Sequence, residues 1–187
     1  MVIPQQRAAR YEDLFSLPDN VVGEIIGGEL HTHPRPAPRH AMASSSLTHE
    51  LVGPFSKGRG GGPGGWWILD EPELHLGPDI LVPDIAGWRR ERMPALPETA
   101  WFEISPDWAC EILSPSTARD DRMLKMPRYA ANGVAYCWLV DPTARTLEAF
   151  KLHEGQWLLQ ASFVGEADVA VGPFDAVPFP LAALWAE

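Results

Sequence analysis

Short runs of alternating or continuous apolar residues, broken by Gly and Pro, predict a chain built mainly of strands with a few helices between them. The segment RYEDLFSL (10–17) predicts a short helix, which Pro18 stops. VVGEIIGGELHTH (21–33) carries β-branched residues on either side of Gly27-Gly28. That pair suits a tight turn, so the segment predicts a hairpin over roughly 21–26 and 29–33. A Pro-rich connector, PRPAPR (34–39), follows. From His40 to Phe55 the spacing of Met42, Leu47, Leu51 and Phe55 predicts a helix with those four facing inward. KGRGGGPGG (57–65) has six glycines in nine residues and predicts a flexible loop.

The middle of the chain is richest in strands. WWILDEPELHL (66–76) and DILVPDIAGW (79–88) read as adjacent strands, and the stretch from Arg89 to Pro97 as a polar loop with three arginines. DWACEIL (107–113) is apolar apart from Glu111 once it is under way, the pattern of a central strand carrying one polar residue. SPST (114–117) offers Ser116 or Thr117 as a helix cap. A helix over 118–133 follows, with Asp120 and Asp121 in its first turn and Gly133 as its stop. Pro127 in its interior is unexpected, since proline removes a helical hydrogen bond. VAYCWLVD (134–141) predicts a buried strand. TLEAFKLH and QWLLQASFV predict a final hairpin, and PFPLAALWAE a short apolar helix. The pattern holds no internal repeat and predicts one α/β domain over 1–187.

Composition narrows the classes. With 187 residues, 45% of them hydrophobic, the chain is long and apolar enough for a real core. No apolar run approaches the roughly 20 residues of a membrane span. The N-terminus lacks the pattern of a secretory signal, so a soluble cytoplasmic protein without membrane association is expected. Cys110 and Cys137 sit in apolar runs and are expected as reduced, buried thiols. With no Cys-x-x-Cys pair, structural zinc is not expected. The glycine-rich loop lacks a Gly-Lys-Ser/Thr ending, which excludes a P-loop, and no Gly-x-Ser-x-Gly supports a serine hydrolase. The formal charge of −10 argues against tight, non-specific duplex binding, although local basic patches remain compatible with it.

Three polar residues stand in surroundings that do not suit them. Asp84 follows Pro83 within DILVPDIAGW, Glu111 interrupts WACEIL, and Lys125 lies on the helix that follows. Carboxylates are rarely buried alone, and two on neighbouring strands repel unless a cation lies between them. Mg²⁺ suits that position because it takes one or two carboxylates, waters and a substrate phosphate. Asp84 and Glu111 are 27 residues apart, and Lys125 comes 14 after Glu111. A strand end, a loop and a second strand therefore separate the acids, and all three can meet at one sheet edge. Plainer roles stay open for each. Asp84 can serve a turn, Arg122 can neutralise Glu111, and Lys125 can be a solvated helix residue.

PDIAGW, CEILSPST and the block DRMLKMPRYAANGVAYCWLVDP together resemble the Uma2 family, within the PD-(D/E)xK nuclease superfamily. The resemblance runs from about residue 10 to the C-terminus. It implies a restriction-endonuclease-like fold, a mixed central sheet flanked by helices with an N-terminal hairpin. It also implies Mg²⁺- or Mn²⁺-dependent hydrolysis of phosphodiester bonds, with DNA as the expected nucleic-acid partner. On this sequence Asp84 and Glu111 become the metal-binding acids. Leu113 stands where the superfamily places its lysine, so the resemblance assigns that role to Lys125. Glu24 and Glu29, in the segment resembling the family's glutamate-bearing hairpin, and His40 after it become accessory candidates. Glu29 also suits a turn cap, and His40 a helix start.

Arg119, Arg122 and Arg128 share the Lys125 helix and are candidates for tracking a phosphate backbone, or simply a solvated basic face. A homodimer is expected, both from the resemblance and from a surface patch anticipated around Trp66, Trp67 and Trp185. The competing class is a catalytically silent nuclease-fold module that binds nucleic acid or a protein partner.

Overall fold

The computed structural model describes residues 7–185. A short helix α1 (Tyr11–Leu14) leads into the hairpin of β1 (Val21–Ile26) and β2 (Glu29–Pro34). Gly27 and Gly28 form its two-residue turn with φ of 63° and 81°, which side chains disfavour. Helix α2 (Pro38–Leu51) opens with proline at its first position and passes into a wider π turn, Val52–Ser56. Leu47, Leu51 and Phe55 are buried as expected, but Met42 is 45% exposed.

The two long strands expected over 66–88 are in fact four. They are β3 (Trp66–Asp70), β4 (Leu74–Leu76), β5 (Asp79–Leu81) and β6 (Ile85–Arg89). Pro72 and Pro83 lie in the interruptions, where no ladder hydrogen bond is needed from them. Next come β7 (Trp108–Ile112), α3 (Ala118–Asp120), a second π turn (Asp121–Lys125) and α4 (Met126–Ala131). Pro127 finds its place here, directly after the π turn, where the α-helical hydrogen-bond ladder is already interrupted. β8 (Tyr136–Asp141), β9 (Thr146–His153) and β10 (Gln156–Val164) complete the main sheet. A small pair, β11 (Asp168–Val169) and β12 (Phe179–Pro180), precedes a 3₁₀ turn at Leu181–Leu184, which replaces the expected terminal α-helix.

The main sheet has the order β10-β9-β8-β7-β6-β3, and a four-stranded sheet has the order β2-β1-β5-β4. Only β7 and β8 of the main sheet run parallel, and the α3–α4 crossover joins them, so that sheet is mixed. Alternation along β7 sends Trp108, Cys110 and Ile112 to a core shared with α2. Ala109 and Leu113 point to the opposite core, with Met126 and Tyr129 of α4. Glu111 has the parity of the second set, which aims it beneath α4.

Several expectations change. Trp66 is 3% exposed, packed against Phe174 and Gly87. Trp67 donates to the Met93 carbonyl at 2.9 Å, and both Trp67 and Trp185 are partly buried, so the anticipated exposed tryptophan patch does not form. A Cβ at position 87 would lie 3.2 Å from the rings of Trp66 and Trp108, which accounts for glycine there. The glycine-rich segment is folded onto the π turn before it, through Arg59 N–H to the Gly53 carbonyl and Gly64 N–H to the Pro54 carbonyl. Cys110 and Cys137 are free and buried. Among the described residues no helix is long and apolar enough to cross a membrane.

Candidate functional site

Four elements converge on Lys125. Its position in the π turn puts Asp121 four residues before it and Tyr129 four after, on one helix face. π turns of this kind recur at functional sites because they re-aim side chains. Lys125 is 3% exposed. Its Nζ lies 3.0 Å from the Glu111 carboxylate, 3.1 Å from Glu24 Oε1 and 3.9 Å from Asp121 Oδ1, and it donates to the Val82 carbonyl at 2.9 Å. Glu111 also accepts the Tyr129 hydroxyl at 2.5 Å. Glu24, from β1, accepts the Val82 N–H at 2.7 Å and meets His33 of β2 at 2.9 Å.

Asp84 lies beside this cluster, at the entry to β6. One of its oxygens accepts the Ile112 N–H at 2.7 Å, which ties it to the end of β7, and the other lies 3.1 Å from His40 Nε2 on α2. Asp84, Glu111, Asp121, Lys125, His33 and His40 all line one cavity of about 250 Å³. The structure thus brings together Asp84, Glu111, Lys125, Glu24 and His40. Glu29 is exposed at the start of β2 and does not line the cavity. Arg122 pairs with Glu148 at 2.6 Å rather than with Glu111, and Arg128 pairs with Asp79 at 3.4 Å, so neither is a free cation; Arg119 has no ion pair among the described residues. The Ser114 hydroxyl, and not Ser116 or Thr117, accepts the N–H at the head of α3, at 3.3 Å from Thr117 N.

Three residues of the cluster escaped the sequence reading: Asp121, Tyr129 and His33. The i, i+4 series Asp121-Lys125-Tyr129 was available as a signal for two of them.

The electrostatics follow from four carboxylates around one lysine. Burial works to raise the Glu24 pKa, but Lys125, His33 and the Val82 N–H together bring it down to about 2. Glu24 is therefore the standing counter-ion of Lys125. Burial raises Glu111 well above the usual range; Lys125 opposes that, while Asp121, Asp84 and Glu24 add to it. Burial likewise lifts Asp121 to about 6 against the pull of Lys125. Lys125 stays charged because the surrounding carboxylates, Glu111 first, outweigh its burial. His40 is desolvated, yet its bond to Asp84 and the nearby acids raise its pKa.

This surplus of negative charge suits a divalent cation. Asp121 Oδ2 is buried and has no hydrogen-bond partner among the described residues, as expected of an oxygen facing a cation or an ordered water. Among the described residues no three Asp, Glu, His or Cys side chains close into a metal cage. The donor set fits a hard cation held by one or two carboxylates and completed by water and phosphate, and it does not fit a closed structural site.

The profile of one protein family, Uma2, described as "Putative restriction endonuclease", matches residues 9–175. Among solved structures, the crystal structure of a putative nuclease belonging to DUF820 from Anabaena variabilis ATCC 29413 superposes with a TM-score of 0.74. It is 22% identical and the match covers 92% of this chain and 95% of that one, a likeness that establishes the fold. No curated protein matches the chain.

Proposed function

The chain belongs to the Uma2 family, and from that premise we propose that it is a divalent-metal-dependent endonuclease whose reaction centre is Asp84, Glu111 and Lys125. The observation that carries this reading is the buried lysine set among carboxylates at the floor of a cavity that Asp84 also lines. Asp84 and Glu111 are the residues that would hold Mg²⁺ or Mn²⁺. A bound ion there supplies polarisation of the phosphate and a lowered pKa for a water molecule. Lys125 presents a fixed positive charge to the non-bridging phosphate oxygens, where negative charge grows during the displacement. Its approach is set by Glu24, which keeps the ammonium charged and anchored, and by the Val82 carbonyl. Tyr129 holds one oxygen of the Glu111 carboxylate through its hydroxyl. His40 fixes one oxygen of Asp84 as the Ile112 N–H fixes the other.

DNA is the substrate assigned first, because the family's description names restriction endonucleases. A homodimer is also proposed. Its support is the free edge of β10, a nine-residue strand without a charged side chain, which exposes Leu158, Leu159 and Val164.

Calorimetric Mn²⁺ titration of the wild type, Asp84→Asn and Glu111→Gln tests the site. The expected result is one site in the wild type that either substitution weakens at least tenfold, since a neutral amide is a poor ligand for a hard cation. Equal affinities in all three would remove these residues from the metal site. Normal metal binding without cleavage of any nucleic acid would favour the silent-module alternative.

A further inference from the structure

Of the three arginines on the helical segment that carries Lys125, Arg122 and Arg128 are engaged by acids, and Arg119 alone has no ion pair among the described residues. Four other cations without an ion pair flank the glycine-rich segment and the end of β6. Lys57, Arg59, Arg89 and Arg90 have no acidic partner within ion-pair distance among the described residues, and hydrogen bonds tie Arg90, the neighbour of Arg89, to the segment that carries Lys57 and Arg59. Arg90 Nη2 donates to the Ser56 carbonyl at 3.1 Å, next to Lys57, and its N–H donates to the Gly65 carbonyl at the end of the glycine-rich loop. The loop is pinned to Pro54, and a Cβ at position 62 would lie 2.3–2.5 Å from that proline. Lys57 and Arg59 are exposed on it.

Arg89 and Arg90 are also held in place. Their guanidinium groups lie 4.6 Å and 4.0 Å from the ring centroids of Trp66 and Trp67. Stacking of this kind fixes the planar cation. Arg90 Nε is buried and has no hydrogen-bond partner among the described residues. The nearby acids are Glu91 and Asp107, and Asp107 is taken up by Arg92 at 2.8 Å and by the Arg89 N–H at 2.8 Å. A concentrated positive surface thus sits on a chain of formal charge −10. Such asymmetry marks an anion-binding face rather than a generally solvated one.

We propose that this patch docks the sugar-phosphate backbone of a nucleic acid strand, a proposal that rests on the nuclease reading and supplies it with a substrate-holding surface. The tryptophans are covered by the arginines, so the contacts are to phosphate and carry no base preference. The patch lies at the Arg89 end of β6 and the candidate reaction centre at its Asp84 end, five residues and about 17 Å away along the strand. The free edge of β3 runs alongside, from Trp66 to Asp70, and Glu71 N–H bonds the Asp84 carbonyl at 3.0 Å. A strand lying along that edge reaches both ends.

The test is binding without turnover. Fluorescence anisotropy follows labelled single-stranded DNA, duplex DNA and RNA of about 20 nucleotides in EDTA, at salt concentrations from about 50 to 200 mM. The proteins are the wild type, Lys57→Glu/Arg59→Glu, Lys57→Ala/Arg59→Ala and Arg119→Glu. Both loop residues are exposed, and unchanged melting temperatures confirm that the fold is kept. Four phosphate contacts predict a log–log salt slope of about −3 for the wild type. The charge reversal is expected to weaken binding at least tenfold at low salt and to flatten the slope by about 1.5, with the alanine pair intermediate and Arg119→Glu near the wild type.

Unchanged affinity and slope in the loop variants overturn the proposal, as does an Arg119→Glu variant that loses as much. A poly-glutamate competitor that displaces the oligonucleotides at equal charge concentration overturns the nucleic-acid assignment. Cleavage separates the two readings. A wild type that cleaves, with loop variants that cleave equally at low substrate, defeats the patch and leaves the nuclease reading intact. A wild type that binds through the patch but never cleaves does the reverse.

Discussion

Asp121→Asn should make this protein more stable at neutral pH, and the reason lies in the burial of an acid. The Asp121 pKa is about 6 in the folded chain against an ordinary 3.8. A carboxyl with a raised folded pKa binds its proton more tightly when folded, so stability is greatest below about pH 4 and declines as the pH climbs through 6. The shift is about two pKa units, and each unit is worth about 1.4 kcal/mol, which sets the cost of ionised Asp121 at roughly 3 kcal/mol at pH 7. Its orphaned Oδ2 gives that cost a structural address. Asparagine has nearly the shape of the protonated acid and carries no charge, so the substitution should recover about 2–3 kcal/mol at pH 7. For a domain of this size the melting temperature should rise by roughly 5–10 °C. Urea unfolding followed by tryptophan fluorescence at pH 4 and pH 7 measures it, with the gain expected to be small at pH 4. An Asp121→Asn protein less stable than wild type at pH 7, or equally stabilised at both pH values, would refute the reasoning.

Other consequences concern the same network and the assembly. Glu24→Gln leaves Lys125 without its standing counter-ion and should cost about 3–5 kcal/mol at pH 7, read by urea unfolding. The folded pKa of Glu24 is about 2 against an ordinary 4.5, so its stabilisation is complete above about pH 4.5 and lost as the pH falls towards 2. Glu24→Gln should remove that part of the acid limb. Tyr129→Phe takes one donor from buried Glu111 and should destabilise by about 1–3 kcal/mol in the same assay. If the β10 edge joins two copies, Leu159→Lys should turn a dimeric mass by light scattering into a monomeric one; a monomeric wild type at tens of micromolar would end the dimer proposal.

The fold was legible where local chemistry is decisive. Gly27-Gly28 specified the hairpin, and the one polar interruption of WACEIL marked both the central strand and a residue of the candidate site. The region from 66 to 88 was misjudged because Pro72 and Pro83 break apolar runs that periodicity reads as continuous, and only pairing partners reveal that β3 and β6 join one sheet while β4 and β5 join another. The tryptophans misled for a related reason. Aromatic surplus signals a patch or a crowded core equally well, and Trp66 went into the core against Phe174. At the candidate site, Asp84, Glu111 and Lys125 showed through as polar residues in apolar surroundings. Asp121 did not, because an acid in the first turn of a helix already has an ordinary electrostatic reason to be there. His33 was hidden by long range: its partner Glu24 lies across the hairpin, and register, not sequence spacing, brings the two together.

Lys125, held in place by its buried carboxylates, is assigned to the phosphate and not to the ion. The most direct measurement is cleavage of a mixed pool of labelled DNA and RNA by wild type and Lys125→Ala, each at a Mn²⁺ concentration shown by calorimetry to saturate it. The account predicts that both proteins fill the metal site, that the wild type cleaves, and that Lys125→Ala cleaves slower by roughly two to three orders of magnitude, the scale for losing one stabiliser of transition-state charge. A Lys125→Ala protein that is folded, metal-saturated and as active as the wild type would contradict it.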